Sequence, residues 1–375
     1  MERCPRTLGR GQLHHHGELV RRVCDSHLMA MEQYQAKFKT REQIRLGGAV
    51  GNLQDGPTIS VHGLSSRLVA WPGNGFQTES VHVLTLAPGT ESEPYAYTMA
   101  EEAMLCLTGE GEVLLRGSWR SLRPGDIGYF PEGCPHAVRC PAGATEDLIV
   151  VTQITPPQFD LYEQAGFYDR AQGTLNLTTI FKATLNARRA DMPRSQMAPQ
   201  ESEPEVRAQN LPFDEVRKEG AIFNVYLGTP FPGLGLPAQL VLWPGVGTRT
   251  AGFNYAMAPA WATDNMHIHP VSDECLVLWE GECEGYVASG YGGAEFIELA
   301  TYDVILAPCG VLHGHRSTAG PSVLGGFASP PQLDLLIDGG FYDNGQFSQG
   351  TFVSFDTSSV PGLTALRNVS AMGKS

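Results

Sequence analysis

The sequence predicts an all-β protein built from two tandem copies of one double-sheet domain, with a few short helices. Two observations support this prediction. Short apolar runs, each bounded by Gly or Pro, follow one another at roughly ten-residue spacing, as in Ser80–Leu86, Glu112–Arg116 and Asp303–Ala307. Runs of this kind indicate a sandwich or a barrel. The second observation is that the pattern occurs twice along the chain.

An internal repeat relates the two halves. Four segments recur in the same order at an offset of 172 to 174 residues. They are Gly48–Asn52 with Gly220–Asn224, Leu68–Gly73 with Leu240–Gly245, Pro156–Leu161 with Pro330–Leu335, and Gly166–Asp169 with Gly340–Asp343. A constant order and offset indicate a duplicated domain.

The repeat predicts domains at 40–185 and 212–360, joined by a linker at 186–211. The linker contains three prolines among polar residues, a composition that does not build a core. Helical spacing over 175–189 predicts a short helix that closes the first domain. Residues 1–30 are expected to form a disordered extension, with Met29 or Met31 as the start of the folded protein, and 361–375 a tail.

Composition argues against two classes of partner. The chain has 40 acidic and 26 basic residues, and this net charge of −14 disfavours both nucleic acid and anionic lipid. No run approaches the ~18 apolar residues that cross a bilayer, and the first 28 residues lack the apolar core of a secretory signal. Eight cysteines without a Cys-x-x-Cys pair predict reduced thiols, so we expect a cytoplasmic protein without a membrane partner.

The second half contains the residues that indicate chemistry. His267 and His269 are two residues apart, so on a strand both imidazoles point to the same face. Glu274 begins an apolar run, where a carboxylate is costly unless it has a strong partner such as a metal ion. His313 follows a Pro/Gly turn and begins the next strand.

These residues form the patterns His-x-His-x4-Glu-x6-Gly and Asp-x4-Pro-x-Gly-x2-His, which resemble the two sequence motifs of the cupin superfamily. With the repeat, the resemblance covers most of the chain and makes it similar to a bicupin. It implies two jelly-roll β-barrels and one divalent ion held by His267, His269, Glu274 and His313. We favour Fe²⁺, and the donors also suit Mn²⁺, Ni²⁺, Cu²⁺ or Zn²⁺. The alternative is that the four polar residues lie on strands without a metal.

The first half departs from this motif. The 172-residue offset places Tyr95 and Tyr97 at the positions of His267 and His269, while Glu102 and His136 are retained. A phenol with a pKa near ~10 is a poor ligand for a divalent ion at neutral pH. We therefore expect one metal ion per chain, in the second half only. The four first-half residues are expected to hydrogen-bond to one another in a barrel kept for packing or for an interface.

Further polar residues are candidates for the surroundings of the metal. His315 shares the strand parity of His313, and we expect it either to act as a base or acid or to be a hydrogen-bonded core histidine. Glu274 is the second catalytic candidate. Arg316 has the opposite parity and is expected to face away. Four residues before the motif either line the mouth of the pocket or belong to the surface or core: Arg249, Asn254, Tyr255 and Trp261.

A metal in a barrel pocket predicts an enzyme that acts on a small molecule. We expect an Fe²⁺-dependent dioxygenase of a small oxygenated or aromatic compound, with O2 as a second substrate. This follows from the resemblance to metal-retaining cupins, whose fold does not select the reaction. The alternatives are a redox-neutral isomerase, lyase or hydrolase, and a ligand-binding cupin without turnover. Monomer and homodimer are both open, and we favour a homodimer because barrel edges and faces need cover.

Overall fold

The computed structural model describes residues 34–231, 235–288 and 296–357. The expected extension at 1–30 and the tail at 361–375 lie outside the described residues. Within the described part of the chain, strands dominate and the α-helices are short, which confirms the predicted all-β class. In the same part, no helix is long and apolar enough to cross a membrane.

The first half contains twelve of the described strands. They are β1 (Ala49–Asn52), β2 (Thr58–Val61), β3 (Leu64–Ala70), β4 (Ser80–Leu86), β5 (Glu101–Thr108), β6 (Gly111–Leu115), β7 (Ser118–Leu122), β8 (Asp126–Phe130), β9 (Val138–Arg139), β10 (Leu148–Thr155), β11 (Tyr168–Asp169) and β12 (Thr174–Leu175).

The second half repeats this series in the described residues. Its strands are β13 (Ala221–Asn224), β14 (Leu227–Phe231), β15 (Ala238–Leu242), β16 (Gly252–Ala258), β17 (Asp273–Glu280), β18 (Cys283–Ala288), β19 (Ile297–Leu299), β20 (Asp303–Ala307), β21 (Leu312–Ser317), β22 (Ser322–Ser329), β23 (Tyr342–Asp343), β24 (Gln346–Phe347) and β25 (Val353–Ser354). The helices are α1 (Arg41–Gly47), α2 (Phe159–Gln164), α3 (Leu177–Asn186), α4 (Phe213–Glu219) and α5 (Leu333–Asp338).

Each half is a barrel of two facing sheets. The first has a large sheet in the order β8-β5-β10-β4-β3-β2 and a small sheet in the order β7-β6-β9. The second has the large sheet β20-β17-β22-β16-β15-β14 and the small sheet β19-β18-β21. Neighbouring strands in these sheets are antiparallel, so each barrel closes around its own interior with few free edges.

The first strand of each half belongs to the sheet of the other half. β1 pairs with β20, with Ala49 opposite Leu306, and β13 pairs with β8, with Ala221 opposite Tyr129. The glycine before each exchanged strand has a positive φ, and a side chain at Gly48 would lie 2.9 Å from the carbonyl oxygen of Leu306. The repeated segments that begin at Gly48 and Gly220 are therefore crossover strands. Strand pairing crosses the domain limits predicted at 40–185 and 212–360, which themselves stay predictions.

The outer faces of the two large sheets pack against each other and form the largest hydrophobic cluster. Neighbouring side chains on a strand point to opposite faces, so alternate residues belong either to the cluster between the barrels or to the interior of one barrel. On β4, for example, Val83 lies in the cluster between the barrels, while Leu84 lies inside the first barrel. All eight residues of β5 are buried for this reason. The two halves thus cover each other's apolar faces.

The segment at 186–211, predicted as a linker that builds no core of its own, packs against the first barrel. Met197, Val206 and Ala208 are buried in it, and Arg207 forms a buried ion pair with Asp126 of β8. The reason is that the segment runs along the first barrel, where the backbone of residues 196 and 198 donates hydrogen bonds to carbonyl groups of that barrel. The helix expected over 175–189 forms as α3, and the side chain of Asn176 caps its first turn.

The thiols agree with the prediction of reduced cysteines within the described residues. Five cysteines there are free and buried, whereas Cys309 is free and exposed. Cys4 and Cys24 lie outside the described residues.

A buried carboxylate of each half accepts backbone hydrogen bonds from the other half. Glu101, the first residue of β5, accepts the N–H groups of Arg249, Thr250 and Ala251 at 2.7 to 3.1 Å from the loop before β16. Its side chain also accepts the hydroxyl of Tyr129 at 2.6 Å. Arg249 is therefore an interface residue.

Asp273 makes the equivalent contact in the opposite direction. This first residue of β17 accepts the N–H groups of Gln77 at 2.5 Å and Thr78 at 2.8 Å, and that of Cys309 at 2.9 Å. The positions of Asp273 and Glu101 are 172 residues apart, so the duplication preserved the contact in both directions. We call this pair, Glu101 and Asp273, the reciprocal carboxylates.

Replacing Asp273 by alanine is expected to destabilise the whole chain by roughly 3–5 kcal/mol, because three backbone N–H groups and the Thr78 hydroxyl lose a charged acceptor together. Thermal unfolding followed by circular dichroism measures the effect. The control is Asp343→Ala, which removes an exposed carboxylate from the same half. Equal melting temperatures for the two variants would contradict this role of Asp273.

A second buried acid lies beside the interface without a charged partner. Glu79 is fully buried, accepts the side-chain amide of Gln153 at 2.5 Å, and its Oε1 has no hydrogen-bond partner among the described residues. Burial raises the pKa of Glu79 well above its usual value, the Gln153 amide opposes this, and Asp273 and Glu274 add to the increase. Burial in the fold thus favours the protonated form of Glu79.

The pH dependence of stability follows from this shift. The raised pKa means that the folded chain retains a proton which the unfolded chain releases above its ordinary pKa of about 4.3, so stability falls as pH rises above that value. Glu79→Gln removes this loss and should unfold at a higher temperature than the native chain at pH 8, with the difference shrinking towards pH 4.5. Glu201→Gln, at an exposed position, is the control. A native chain at least as stable as Glu79→Gln at pH 8 would contradict the assignment.

Candidate metal centre

Four side chains converge inside the second barrel, as the motif suggested. Glu274 is the second residue of β17 and His313 the second residue of β21, while His267 and His269 lie on the segment just before β17. The backbone of His267 forms an isolated antiparallel bridge with His313, so this segment is extended without being part of a named strand. One nitrogen or oxygen atom from each of the four residues lies within 4.8 Å of the others.

The outer nitrogens of the three imidazoles are held by hydrogen bonds. Nδ1 of His267 lies 2.7 Å from the carbonyl oxygen of Asn265, and Nδ1 of His313 lies 2.9 Å from that of Val311. Nδ1 of His269 lies 2.9 Å from Oδ2 of Asp334 on α5. These contacts leave the Nε2 atoms to face the centre of the cluster, the arrangement typical of metal-binding histidines.

The carboxylate of Glu274 lies at the centre of the cluster. Its Oε2 is 2.8 Å from Nε2 of His313 and 3.1 Å from Nε2 of His269. Burial opposes its ionisation, but the two imidazoles outweigh burial and hold the pKa of Glu274 well below its usual range. Burial likewise opposes a charge on His269, yet Asp334 and Glu274 raise its pKa to about 9.

The donor chemistry of this cluster fits a divalent transition metal. Three imidazole nitrogens and one carboxylate oxygen suit Fe²⁺, Mn²⁺, Ni²⁺, Cu²⁺ or Zn²⁺. His269, Glu274 and His313 are buried and His267 is partly exposed, so the cluster is closed on most sides. The group can hold one divalent ion. The assignment of each residue as a ligand stays a prediction.

The backbone makes space for Glu274 at one position of β22. A Cβ atom at Gly326 would overlap Oε1 of Glu274 and would lie 3.1 Å from its Cδ. Its counterpart in the first half, at an offset of 174, is Thr152, whose hydroxyl donates to Glu102 at 2.7 Å. The missing side chain at Gly326 thus leaves Glu274 free to turn towards the three imidazoles.

Gly326→Ala is expected to lower the affinity for a divalent ion at least ~10-fold, because the new methyl group displaces the Glu274 carboxylate. Metal content after dialysis against a weak chelator measures this. Gly320→Ala is the control, since its Cβ would have no neighbour within 4 Å. The variant should still fold, because the atom that must move belongs to a side chain. A Gly326→Ala protein with native metal affinity would show that the space is not needed.

A pocket of about 50 Å³ opens on the cluster. His267 and Glu274 line it, and five leucines, two alanines and Phe231 make up its apolar wall. An apolar wall with a few polar groups is typical of small-molecule sites. A cavity of about 190 Å³ lies between the two halves, but its cations are engaged: Lys39 donates to the carbonyl of Gly48, Arg41 donates to that of Pro72, and Lys37 lies over the ring of Phe38.

His315 lies in the wall of this pocket and is buried. Its Nδ1 is 3.4 Å from Oδ2 of Asp264, and neither ring nitrogen makes a hydrogen bond within the described residues. Within the described residues His315 thus has one nearby carboxylate, and its role as a base or acid stays a prediction beside that of a core histidine.

The candidates at the pocket mouth separate into different environments. Asn254 lines the pocket and donates to Oε1 of Glu274 at 3.2 Å. Tyr255, the next residue on β16, points into the cluster between the barrels, and Trp261 is 74% exposed in a loop outside the pocket. Arg316 forms an ion pair with Glu284 on the adjacent strand, consistent with its opposite parity.

Two residues near the cluster escaped the sequence reasoning. The side-chain nitrogen of Gln332 lies 2.9 Å from Nε2 of His269, and Asp334 contacts the other nitrogen of the same ring. Both belong to the repeated segment Pro330–Leu335, so the repeat itself was the available signal. In the first half the equivalent Asp160 pairs with Arg170 at the surface.

The first barrel contains a hydrogen-bonded group at the equivalent place. The carboxylate of Glu102 accepts hydrogen bonds from Tyr95 at 2.9 Å and Thr152 at 2.7 Å, and it contacts Nε2 of His136 at 2.9 Å. Tyr97 bonds to His62 at 3.1 Å rather than to Glu102. Three of the four expected members, Tyr95, Glu102 and His136, are therefore joined, with Thr152 as an additional member, whereas Tyr97 bonds to His62 outside this group.

Fold and site together define a protein of two β-barrels that has, among the described residues, one cluster of side chains able to hold a metal ion. The cupin domain family matches residues 82–152 of the chain. No curated protein matches the sequence. A solved structure of a point variant of oxalate decarboxylase from B. subtilis aligns with 81% of this chain and 78% of its own, at 14% identity and a TM-score of 0.50.

Two further solved structures have similar coverage. A putative glyoxylate-induced protein of Pseudomonas aeruginosa aligns with 76% of this chain and 89% of its own, at 15% identity and a TM-score of 0.48. Vicilin of Corylus avellana aligns with 75% of this chain and 85% of its own, at 15% identity and a TM-score of 0.45. At such identities the likeness concerns the fold. Residues 82–152 thus match the cupin domain family, and the fold of the chain is similar to that of a protein with two such barrels. The His-x-His-x4-Glu motif occurs in the second barrel, whereas the first has Tyr95 and Tyr97 at the positions of the two histidines.

Proposed function

We propose that this chain is a metal-dependent enzyme that acts on a small molecule in its second barrel, and that it is an Fe²⁺-dependent dioxygenase. The observation that supports the proposal is the direct opening of an apolar pocket onto the buried group of three histidines and one glutamate. In this proposal His267, His269, Glu274 and His313 hold the ion. The ion supplies a Lewis acid and, as iron, a site for dioxygen.

The residues of the chain have distinct roles in this proposal. Asp334 and the carbonyl groups of Asn265 and Val311 orient the three imidazoles, which keeps the Nε2 atoms directed at the ion. Asn254 and Gln332 orient the Glu274 carboxylate and the His269 ring. The leucine wall excludes water from the substrate. His315 faces the substrate and holds or accepts a proton there.

A redox-neutral reaction is the second candidate. The juxtaposition of His315 and Asp264 in the pocket favours it, because an imidazole beside a carboxylate suits proton transfer in an isomerase, lyase or hydrolase. The two candidates differ in their need for dioxygen.

The metal assignment predicts different outcomes for two double variants. His267→Ala with His269→Ala should lose both the ion and turnover, because two ligands remain. Tyr95→Phe with Tyr97→Phe is the matched control and should retain the metal content of the native chain. Elemental analysis of anaerobically purified protein measures both. Two ions per native chain, or loss of metal from the tyrosine variant, would contradict the assignment to the second barrel.

The reaction class is decided in the same preparation. Dicarbonyls, phenols and hydroxy acids are screened with an oxygen electrode, and each active compound is tested again under nitrogen. A dioxygenase consumes oxygen and stops under nitrogen. Turnover that continues under nitrogen would overturn the dioxygenase proposal in favour of the redox-neutral one.

A further inference from the structure

The pocket on the metal cluster has no cationic side chain in its wall among the described residues. Its wall consists mainly of leucines with Phe231 and two alanines, and its polar groups outside the cluster are Asn254, Asp264, His315 and Gln332. The arginines nearest in the sequence are engaged elsewhere. Arg249 pairs with Glu132 across the interface, and Arg316 pairs with Glu284.

Several carboxylates surround the same space. Glu274 belongs to the cluster, Asp264 lines the pocket beside His315, and Asp334 lies behind His269. Oδ1 of Asp264 and Oδ1 of Asp334 are buried and have no hydrogen-bond partner within the described part of the chain. Acidic groups therefore balance the positive charge of a divalent ion at this site before any substrate enters.

The charges around the pocket then determine whether a charged or a neutral substrate binds. A dicarboxylate brings two more negative charges into a poorly solvated space without an arginine or lysine to pair with them, and burying such charges is costly. A neutral molecule brings no such penalty, and its apolar body gains from contact with the leucines.

We infer that the substrate is an uncharged molecule with an apolar body and an oxygen function for the metal, and that dicarboxylates are excluded. This inference rests on the proposed function, since the ligand must reach a metal in this pocket. It separates the chain in substrate class from the oxalate decarboxylase whose fold it shares.

Calorimetry on protein reconstituted with Fe²⁺ under nitrogen tests the inference by binding rather than by turnover. The probes are pentane-2,4-dione and malonate, which present two oxygen functions at the same spacing. The first is uncharged in solution and binds a metal as its singly charged enolate, with its proton released to the buffer, and the second is doubly charged. Each affinity is divided by that of the same compound for aqueous Fe²⁺ at the same pH. The dione should exceed malonate at least ~10-fold on this scale, because repulsion in a site of reduced dielectric acts twice as strongly on malonate.

Asp264→Asn examines the electrostatic part of the inference. Removing this carboxylate should strengthen malonate binding at least ~3-fold and dione binding by a smaller factor, because the enolate carries half the charge of malonate. Asp343→Asn makes the same change at an exposed position and should alter neither affinity. Equal responses of the two ligands to Asp264→Asn would overturn the inference.

Heptane-3,5-dione examines the apolar part, because each added methylene should strengthen binding about fourfold where the leucine wall covers it. A longer dione that binds no better overturns this part.

The outcomes also separate the two proposals. Protein that holds no ion overturns the proposed function and the inference with it. Protein that holds one ion but prefers malonate leaves the metal site standing and overturns the substrate class.

Discussion

The reciprocal carboxylates, Glu101 and Asp273, are the contact on which the arrangement of the two barrels depends. Each is fully buried and accepts several backbone N–H groups from the other half. Each also directly precedes the glutamate that faces its own barrel interior, Glu102 or Glu274. Neighbouring side chains on a strand point to opposite faces. The first carboxylate of each adjacent pair therefore contacts the other half, and the second is the central group of its own barrel. In each half a single strand, β5 or β17, thus both contacts the other half and positions the glutamate inside the barrel.

The two barrels satisfy this inward-facing glutamate in different ways. In the first, Tyr95, Thr152 and His136 provide neutral or weakly basic partners, and every contact is made by protein. In the second, Gly326 removes the hydroxyl that Thr152 supplies, and imidazoles replace the tyrosines. The second glutamate is left with the Nε2 atoms of His269 and His313 at hydrogen-bond distance from its carboxylate. One barrel has thereby closed its centre with hydrogen bonds, while the other retains the donors that a metal requires.

Strand exchange explains why the halves form one structural unit. β1 completes the sheet that contains Glu274, and β13 completes the sheet that contains Glu102. The packed outer faces then bury strands on both sides, so every residue of β5 and β22 is buried instead of every second one. A single barrel of this chain would leave both an unpaired sheet edge and an apolar face in water.

The sequence by itself determined the local and repeated features: the β class, the duplication, the helix at α3, and the metal-type donors at His267, His269, Glu274 and His313. These follow from short-range periodicity and from spacing within one or two strands. Tertiary structure decided what depends on distant partners. The crossover of β1 and β13, the packing of 186–211 against the first barrel, and the contact of Asp334 with His269 each join residues far apart in the chain. Composition and periodicity do not predict such contacts. The free energy of burying an apolar face or of hydrogen-bonding a polar group depends on which distant segment packs against it.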